Sequence, residues 1–588
     1  MRSMSTVKNE GSKLVFVALL MLIAPLARSA DWPMWKHNSG RTAVSPGALS
    51  TELHLQWVRQ LPPARQAWKD KSNAMLFFDV SYEPIVAGKL MFVGSMNSDS
   101  VTAYSTETGA EKWRFYTDGP VRFAPVAYKG NVYAASDDGY LYCLNGFDGK
   151  LVWKMRGSPA DRKILGNERL INIRPVRGAP VIHDDVLYFA AGIWPFMGTF
   201  IYALDPETGE TIWANSGNGS RWITQQHGAP SFAGVAPQGY LALTDDRLLI
   251  PSGRSVPGAF NAKDGAFLYN QASSRSFGKD SGGYAVTAIA GKFVGRKGVY
   301  ELADGKPLVS GIDGVWTPDA LYAVQGDSIS VYSHEVEQDG KRKNLKRIAE
   351  AGLKQEVGRA FIKAGSSLYC ARNDGTVSAV NVADTNSLSV TWQGKIDGKV
   401  WTMLAADDRL FVVSEGGSIF CFGPAKRDVA RHVMAQPERP LPSGKVSVAT
   451  TTIMDHGTDP AGYCVVLGLG DGALVGELLA RTTLKLIVVD EDPGRVARFR
   501  RRMDDEGLYG TRIAIIIADP FDSGLPPYLA HVVVAAEKLP AMDRENVAAL
   551  FKILRPYGGV AVLPMKRDAL TTLVDSAELQ KVEITEVG

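Results

Sequence analysis

The residues best suited to chemistry lie late in the chain. Gly468-Leu469-Gly470-Asp471-Gly472 follows a short apolar run, YCVVL from Tyr463 to Leu467, and precedes a helical stretch, ALVGELLART. Glycines between a strand and a helix let a ligand approach the backbone and the free N–H groups of the helix start. Asp490 closes the next apolar run, about 20 residues on, where a carboxylate can hold ribose hydroxyls. The spacing therefore predicts a cofactor-binding set of Gly468, Gly470, Gly472 and Asp490 for a nucleoside-bearing ligand. Other reactive side chains form no comparable pattern. Cys143, Cys370, Cys421 and Cys464 each sit in an apolar run without CxxC spacing, so buried thiols are expected and no metal site is predicted. His37, His54, His183, His227 and His334 are scattered and read as structural or surface groups.

Those glycines need a particular set of elements around them. After Asp490 come a charged helix, then IAIIIADP, then HVVVAAE, then a helix closing at LRPYGG. This alternation predicts a doubly wound, Rossmann-like α/β domain over residues 446–588. In the charged helix, Arg495, Arg498 and Arg500 to Arg502 are followed by Asp504, Asp505 and Glu506, which reads as a mixed-sign solvated face. The order of pieces resembles the class I S-adenosylmethionine-dependent methyltransferases. The glycine triad matches that family's first motif, Asp490 its ribose-binding acid, Ala518-Asp519-Pro520 the region near the adenine, and Leu554 to Gly559 the LRPGG turn. The resemblance implies S-adenosylmethionine as cofactor and adds Asp519 to the site. Two departures are visible. Val466 stands where the family has an acid, and Glu537 after HVVVAAE lacks the Asn-Pro-Pro-aromatic signature. No catalytic residue is assigned. The closing KVEITEVG reads as the first strand of a terminal antiparallel pair without its second, as in a truncated domain or one inserted in a longer protein.

A different pattern fills residues 31–424. Runs such as VTAYSTETGAEKW, LYCLNGFDGKLVW and IYALDPETGETIW end at Trp113, Trp153 and Trp213; GAFNAKDGAFLY ends at Tyr269, and VSAVNVADTNSLSVTW at Trp392. ETG or DGK between alternating runs is a hairpin turn with Gly at positive φ. Trp113 and Trp153 are 40 residues apart, and the wider gap to Trp213 matches a polar insertion around 157–175. Repetition at this period predicts an all-β propeller of seven or eight four-stranded blades, with the uncertainty in the degenerate stretch 283–358. GIWPFMG, Gly192 to Gly198, reads as an apolar loop of the third blade, at the propeller mouth or over a blade edge. These residues, with the opening Asp31-Trp32-Pro33-Met34-Trp35, resemble PQQ-type (quinoprotein-like) propeller repeats. The resemblance implies that each blade's Trp docks on the next blade. It does not imply the quinone: PQQ dehydrogenases use a vicinal Cys pair beside a calcium ion, and here no two Cys are adjacent and no CxxCH occurs. PQQ is not expected. A protein or carbohydrate partner on one propeller face is. Residues 425–445, rich in Pro and charge, read as a linker.

Composition closes other options. The chain has 588 residues and a net charge of +3, all of it carried by Arg2, Lys8, Lys13 and Arg28 against Glu10. Residues from 440 onward hold 16 basic and 20 acidic side chains. No basic footprint for nucleic acid remains. Residues 1–30 have a basic start, an apolar run from Leu14 to Ala24 and small residues at Ser29 and Ala30, the parts of a secretory signal cleaved after 29 or 30. The run falls short of the ~20 residues of a membrane span. The expected product is an exported propeller acting as a binding or scaffolding module, fused to an S-adenosylmethionine-type Rossmann domain. The alternative is an active methyltransferase whose propeller recruits the substrate. Export and this cofactor conflict, because the cofactor is not normally supplied outside the cytoplasm.

Overall fold

The computed structural model describes residues 31–587 except 69–75, 218–220, 225–228, 254, 272–281, 290, 297, 341, 386, 435–445, 457–461 and 540–541. The expected leader, His227 and most of the expected linker lie outside the described residues.

Eight sheets follow one another along the propeller, each built on four antiparallel strands in chain order except the last, and the third and seventh gain a fifth, parallel strand, Gly239–Tyr240 and Val44–Ser45. The first blade runs Ile85–Ala87, Leu90–Ser95, Ser100–Ser105 and Glu111–Tyr116. The last takes three strands, Val400–Ala406, Arg409–Ser414 and Ser418–Gly423, from the end of the repeat and its fourth, His54–Gln60, from the beginning. The ring is thus closed by hydrogen bonds between distant parts of the chain. Ala430–His432 adds a fifth, parallel strand to this sheet. The count of seven or eight resolves to eight, because the degenerate stretch holds two ordinary blades, Thr287–Ser310 and Val315–Gly352.

The repeat's aromatics explain how blades hold each other. The indole N–H of Trp57 donates to Thr106 O (2.9 Å), Trp113 to Gly146 O (3.0 Å), Trp153 to Pro206 O (3.2 Å), Trp213 to Ala262 O (2.9 Å) and Trp392 to Leu53 O (2.8 Å). Tyr269 does the same with its hydroxyl to Leu302 O (2.6 Å). Each bond joins one blade's outer strand to the turn entering the outer strand of the next. In five of the six a glycine in that turn, Gly109, Gly149, Gly209, Gly265 or Gly305, lets the ring lie flat against the backbone. At Gly149, whose φ is +72°, a Cβ would stand 2.5 Å from the Trp113 ring. Six of the eight inter-blade seams therefore combine a satisfied indole N–H or phenol O–H with a buried aromatic surface.

Residues 32–45 close the ring from inside. Trp32 bridges to Val86, Pro33 O accepts from Ala127 N (2.7 Å), Ser39 O from Leu243 N (2.9 Å), Gly40 O from Ala288 N (2.8 Å) and Ala43 O from Lys363 N (3.0 Å). The segment thus visits the inner strands of five blades in turn. The Arg41 guanidinium, 1% exposed, donates to the carbonyls of Leu241 (2.7 Å), Trp35 (3.0 Å) and Pro180 (2.9 Å). Lys36, His37, Arg41 and Ala43 all have positive φ, a backbone cost offset by these many bonds.

After residue 445 the chain forms a five-stranded parallel sheet in the order Ile513–Ile517, Lys485–Asp490, Tyr463–Leu467, Val532–Ala535, Val560–Val562. Its helices are α1 (Val448–His456), α2 (Ala473–Arg481), α3 (Pro493–Asp505), α4 (Arg544–Ile553) and α5 (Arg567–Ser576). Cys464, Val466 and Val488 pack with α1, α2 and α3; Val465, Leu467 and Val489 pack with α4. Alternation of side chains along each strand thus gives the sheet two apolar faces, both covered. The expected strand in KVEITEVG is absent: residues 581–587 form no ladder, and strand conformation needs a paired neighbour.

Candidate functional site

The glycine loop has the expected form. Gly468, Gly470 and Gly472 have φ of +74°, +54° and +83°, and α2 begins immediately after. The loop and the strand-end acid meet: Leu469 N–H donates to Asp490 Oδ2 at 2.7 Å. The space above the loop is filled by the protein itself. A Cβ on Gly468 would collide with Glu537 Oε1, and one on Gly472 with the Phe499 ring. Asp490 is 1% exposed, and both its oxygens are engaged. Oδ1 accepts from Asp492 N (2.9 Å) and Arg495 Nη2 (3.0 Å), while Oδ2 lies 2.8 Å from the same Arg495 nitrogen. Arg495 also reaches Glu537 Oε1 at 3.3 Å. This arginine, the first basic residue of α3, forms a clasp across the loop mouth. The hydrogen bond to Asp490 and the two carboxylates raise its guanidinium above the ordinary arginine range. Asp519 stands apart: it is exposed, and its Oδ1 caps its own turn by accepting from Phe521 N (2.7 Å) and Asp522 N (3.2 Å).

The remainder of α3 corrects the reading of a solvated helix. Arg500 is 3% exposed and reaches Asp118; Arg501 reaches Glu111; and Asp504 accepts from Arg114 and from the Tyr116 hydroxyl (2.9 Å). All four partners belong to the first blade or the loop after it. Tyr116 and Tyr509 pack edge to face at 5.6 Å, Lys485 pairs with Glu168 at 3.0 Å, and Arg65 donates to Gly510 O at 2.8 Å. One edge of α3 is thus a docking surface for the propeller. Charge counting along the helix could not distinguish this from solvation, because the carboxylates that compensate Arg501 and Arg500, Glu111 and Asp118, are 390 and 382 residues away in sequence.

Two polar sites in the propeller were not visible in the sequence. Beneath the loops joining successive blades, Arg122 bridges Asp79 (2.6 Å) and Asp137 (2.6 Å), and Arg177 pairs with Asp137 (2.8 Å), all four side chains no more than 4% exposed. Burial pushes the Asp137 carboxyl up, but Arg177 and Arg122 outweigh it and hold it at about 2. Burial wins at Asp79, whose carboxyl is raised despite Arg122 and whose Oδ1 has no hydrogen-bond partner. The second site is a cavity of about 210 Å³ where the inner strands of the first and of the fifth to eighth blades begin, floored by Trp35 and Lys36.

Comparison with known proteins agrees with this fold. Residues 56–213 match the family model described as "Outer membrane protein assembly factor BamB". The chain carries a PQQ/BamB-like eight-bladed propeller. A curated relative, the tetrathionate hydrolase of Acidithiobacillus ferrooxidans, is 29% identical over 139 residues, 22% of this chain and 24% of that protein. The chain therefore matches about a quarter of that relative's length. Among solved structures, a europium-containing methanol dehydrogenase aligns at 15% identity over 67% of this chain and 98% of its own, with a TM-score of 0.44. BamB from Moraxella catarrhalis aligns at 14% identity over 58% and 81%, with a TM-score of 0.28. Among the described residues no helix is long and apolar enough to cross a membrane, and no group of three or more His, Cys, Asp or Glu could hold a metal ion.

Proposed function

We propose that the chain is an exported binding and scaffolding propeller on which a methyltransferase-like, Rossmann-type domain is docked as a structural partner without turnover. A protein partner is the reading supported by the BamB family match. The observation that carries the assignment for the second domain is the Arg495–Glu537 clasp. S-adenosylmethionine would need the Asp490 oxygens for its ribose and the space over Gly468 for its methionine end. Both are taken by the chain's own side chains. The residues present therefore do not fit the cofactor, and no methyl-transfer step is derived. The same reading removes the conflict between an export signal and a cytoplasmic cofactor.

The test is calorimetric titration of the full mature chain with S-adenosylmethionine, beside a Gly470→Arg variant. No heat up to millimolar ligand is expected. Micromolar binding abolished by the substitution would instead support the second reading, an active methyltransferase whose propeller recruits its substrate. Sequencing the N-terminus of the secreted protein tests export, and a retained Met1 would count against it.

A further inference from the structure

The apolar loop Gly192 to Gly198 belongs neither to the docking surface nor to the cavity floored by Trp35. It joins the second and third strands of the third blade, Val186–Ala191 and Phe200–Leu204. Gly192 and Gly198 (φ +99° and +91°) pinch its base, where a Cβ on Gly192 would stand 2.5 Å from Gly198 O. A 3-10 turn at Pro195–Met197 fixes the tip. Met197 N–H donates to Trp194 O (2.9 Å), and Arg174 Nε–H donates to Met197 O (2.7 Å). Beside this turn lies a two-stranded hairpin, Arg221–Thr224 with Pro230–Ala233. Its Trp222 and Phe232 are direct cross-strand partners and meet edge to face at 4.9 Å. Trp194, Phe196, Trp222 and Phe232 are 43–63% exposed. The second domain, docked on the first blade and around Leu170, leaves them uncovered.

A fixed cluster of exposed rings is unfavourable in water and marks a surface that something covers. Size argues against a protein. Four rings of ~150–250 Å² each, about half exposed, make roughly 450 Å², well below the ~800 Å² that each side of a stable protein pair buries. Polarity argues against a sugar chain, whose hydroxyls need donors and acceptors around the rings, because the turn's backbone is bonded inward. Charge supplies the positive argument. Residues 186–204 and 211–244, which build the patch, contain no Asp or Glu, and their one Lys or Arg is Arg221. Two arginines stand behind the rings, Arg174 beneath the turn and Arg221 4.9 Å over Phe267 on the other side of the hairpin. Neither has an ion-paired partner among the described residues. The indole N–H groups of Trp194 and Trp222 make no hydrogen bond among the described residues either. Each of these two rings thus pairs an apolar body with a polar tip free for water or a headgroup, the form that suits Trp to a membrane–water boundary. We propose that this patch docks the chain on an anionic lipid surface, with the four rings among the upper acyl chains and Arg174 and Arg221 level with the headgroup phosphates. The proposal goes beyond the scaffolding reading and is independent of what the glycine loop binds.

The experiment is flotation of the full mature chain with vesicles of phosphatidylcholine alone and of phosphatidylcholine with phosphatidylglycerol at 3:1. Binding to the mixed vesicles should exceed binding to the neutral ones at least fivefold. On mixed vesicles Phe196→Ser and Trp222→Ser should each lower the partition coefficient at least fivefold, and Arg221→Gln at least twofold. Phe147→Ser, at an exposed turn on the opposite end of the second blade, should leave it unchanged. All four side chains are exposed, so each variant should keep the wild-type Tm. No flotation at 2 mM lipid with folded protein, or equal binding to the two vesicles, would overturn the proposal. So would a partition coefficient that Phe196→Ser and Trp222→Ser leave unchanged, or one that Phe147→Ser lowers as much. A concentration-dependent dimer in sedimentation velocity that Phe196→Ser abolishes would overturn it too, because the occupant would then be a second copy.

Discussion

Replacing Arg122 by Met removes the centre of the buried ionic cluster and puts a number on what that cluster contributes. Asp137 would keep Arg177, but Asp79 would keep only the Ala67 N–H (2.8 Å) as a hydrogen bond and would become a buried carboxylate with no bonded cation, the Arg177 charge acting on it only without contact. Breaking a buried pair in this way costs about 3–5 kcal/mol. Unfolding entropy of about 2.1 cal/mol/K per residue over roughly 390 propeller residues gives about 0.8 kcal/mol/K, so Tm should fall by about 4–6 °C. The loss should depend on pH with a definite sign. The Asp79 carboxyl is already raised in the folded state, mainly by burial, and the substitution raises it further. The folded state then binds a proton that the unfolded state releases, so stability is kept near pH 4 and lost as pH rises through the raised value. Differential scanning calorimetry at pH 4.5 and 8 checks this, and the deficit of the variant should be larger at pH 8. Adding Asp79→Asn should recover at least half of it at pH 8, because the orphaned charge is then gone. A Tm within 2 °C of wild type at pH 8, or a double variant no better than the single one, would refute the reasoning.

Three other measurements bear on the fold and the docking. Gly149→Ala, with φ +72° and a Cβ 2.5 Å from Trp113, should destabilise by about 2 kcal/mol or more in urea unfolding, whereas Gly130→Ala (φ +81°, open space) should cost only about 1 kcal/mol. Glu83→Gln should raise stability at pH 8 by up to about 3 kcal/mol while leaving it unchanged at pH 4, since a carboxyl raised from 4.5 to about 7 penalises the folded state only once ionised; equal Tm values for the two proteins at pH 8 would count against a buried Glu83. Arg114→Ala leaves Asp504 with the Tyr116 hydroxyl alone and should cost about 2 kcal/mol at this partly buried interface; hydrogen exchange in α3 should quicken while exchange in the blade at Ser367–Ala371 stays the same.

How much of this was legible in the sequence varied with the range of the interaction that decides each feature. The blades ending at Trp113, Trp153 and Trp213 were readable because turn glycine and docking aromatic recur at short spacing. The blades between 283 and 358 were not, because no Trp marks a seam in Pro307–Ser310 or Arg342–Gly352. The eighth was obscured differently: its docking Trp57 lies 364 residues before Cys421, with which it pairs, so no local window contains the whole blade. In the second domain, local rules found the left-handed glycines and Asp490. They could not see that Glu537, next to the fourth strand, would lie over Gly468, since that contact depends on two strands made adjacent by the sheet order. The cavity floored by Trp35 was invisible for the same reason, its lining coming from residues 32 to 404.

The clasp and the docking surface belong to one helix, and this links them. Arg495 opens α3 and closes the glycine loop; Arg500, Arg501 and Asp504, within three turns, fix the same helix to the first blade. Opening the loop requires Arg495 to leave two carboxylates, by turning its side chain into solvent or by moving α3. The first route strands Asp490, which is buried and would be left with backbone donors only. The second disturbs ion pairs that are themselves partly buried, at a cost of several kcal/mol. A ligand for the loop would have to supply that free energy before gaining any of its own. The net charges of the two segments do not account for this arrangement. The segment after 440 is the acidic one, yet α3 presents it to the propeller through arginines. Docking is governed by the placement of individual side chains on a single helix edge, and that placement also keeps the loop closed.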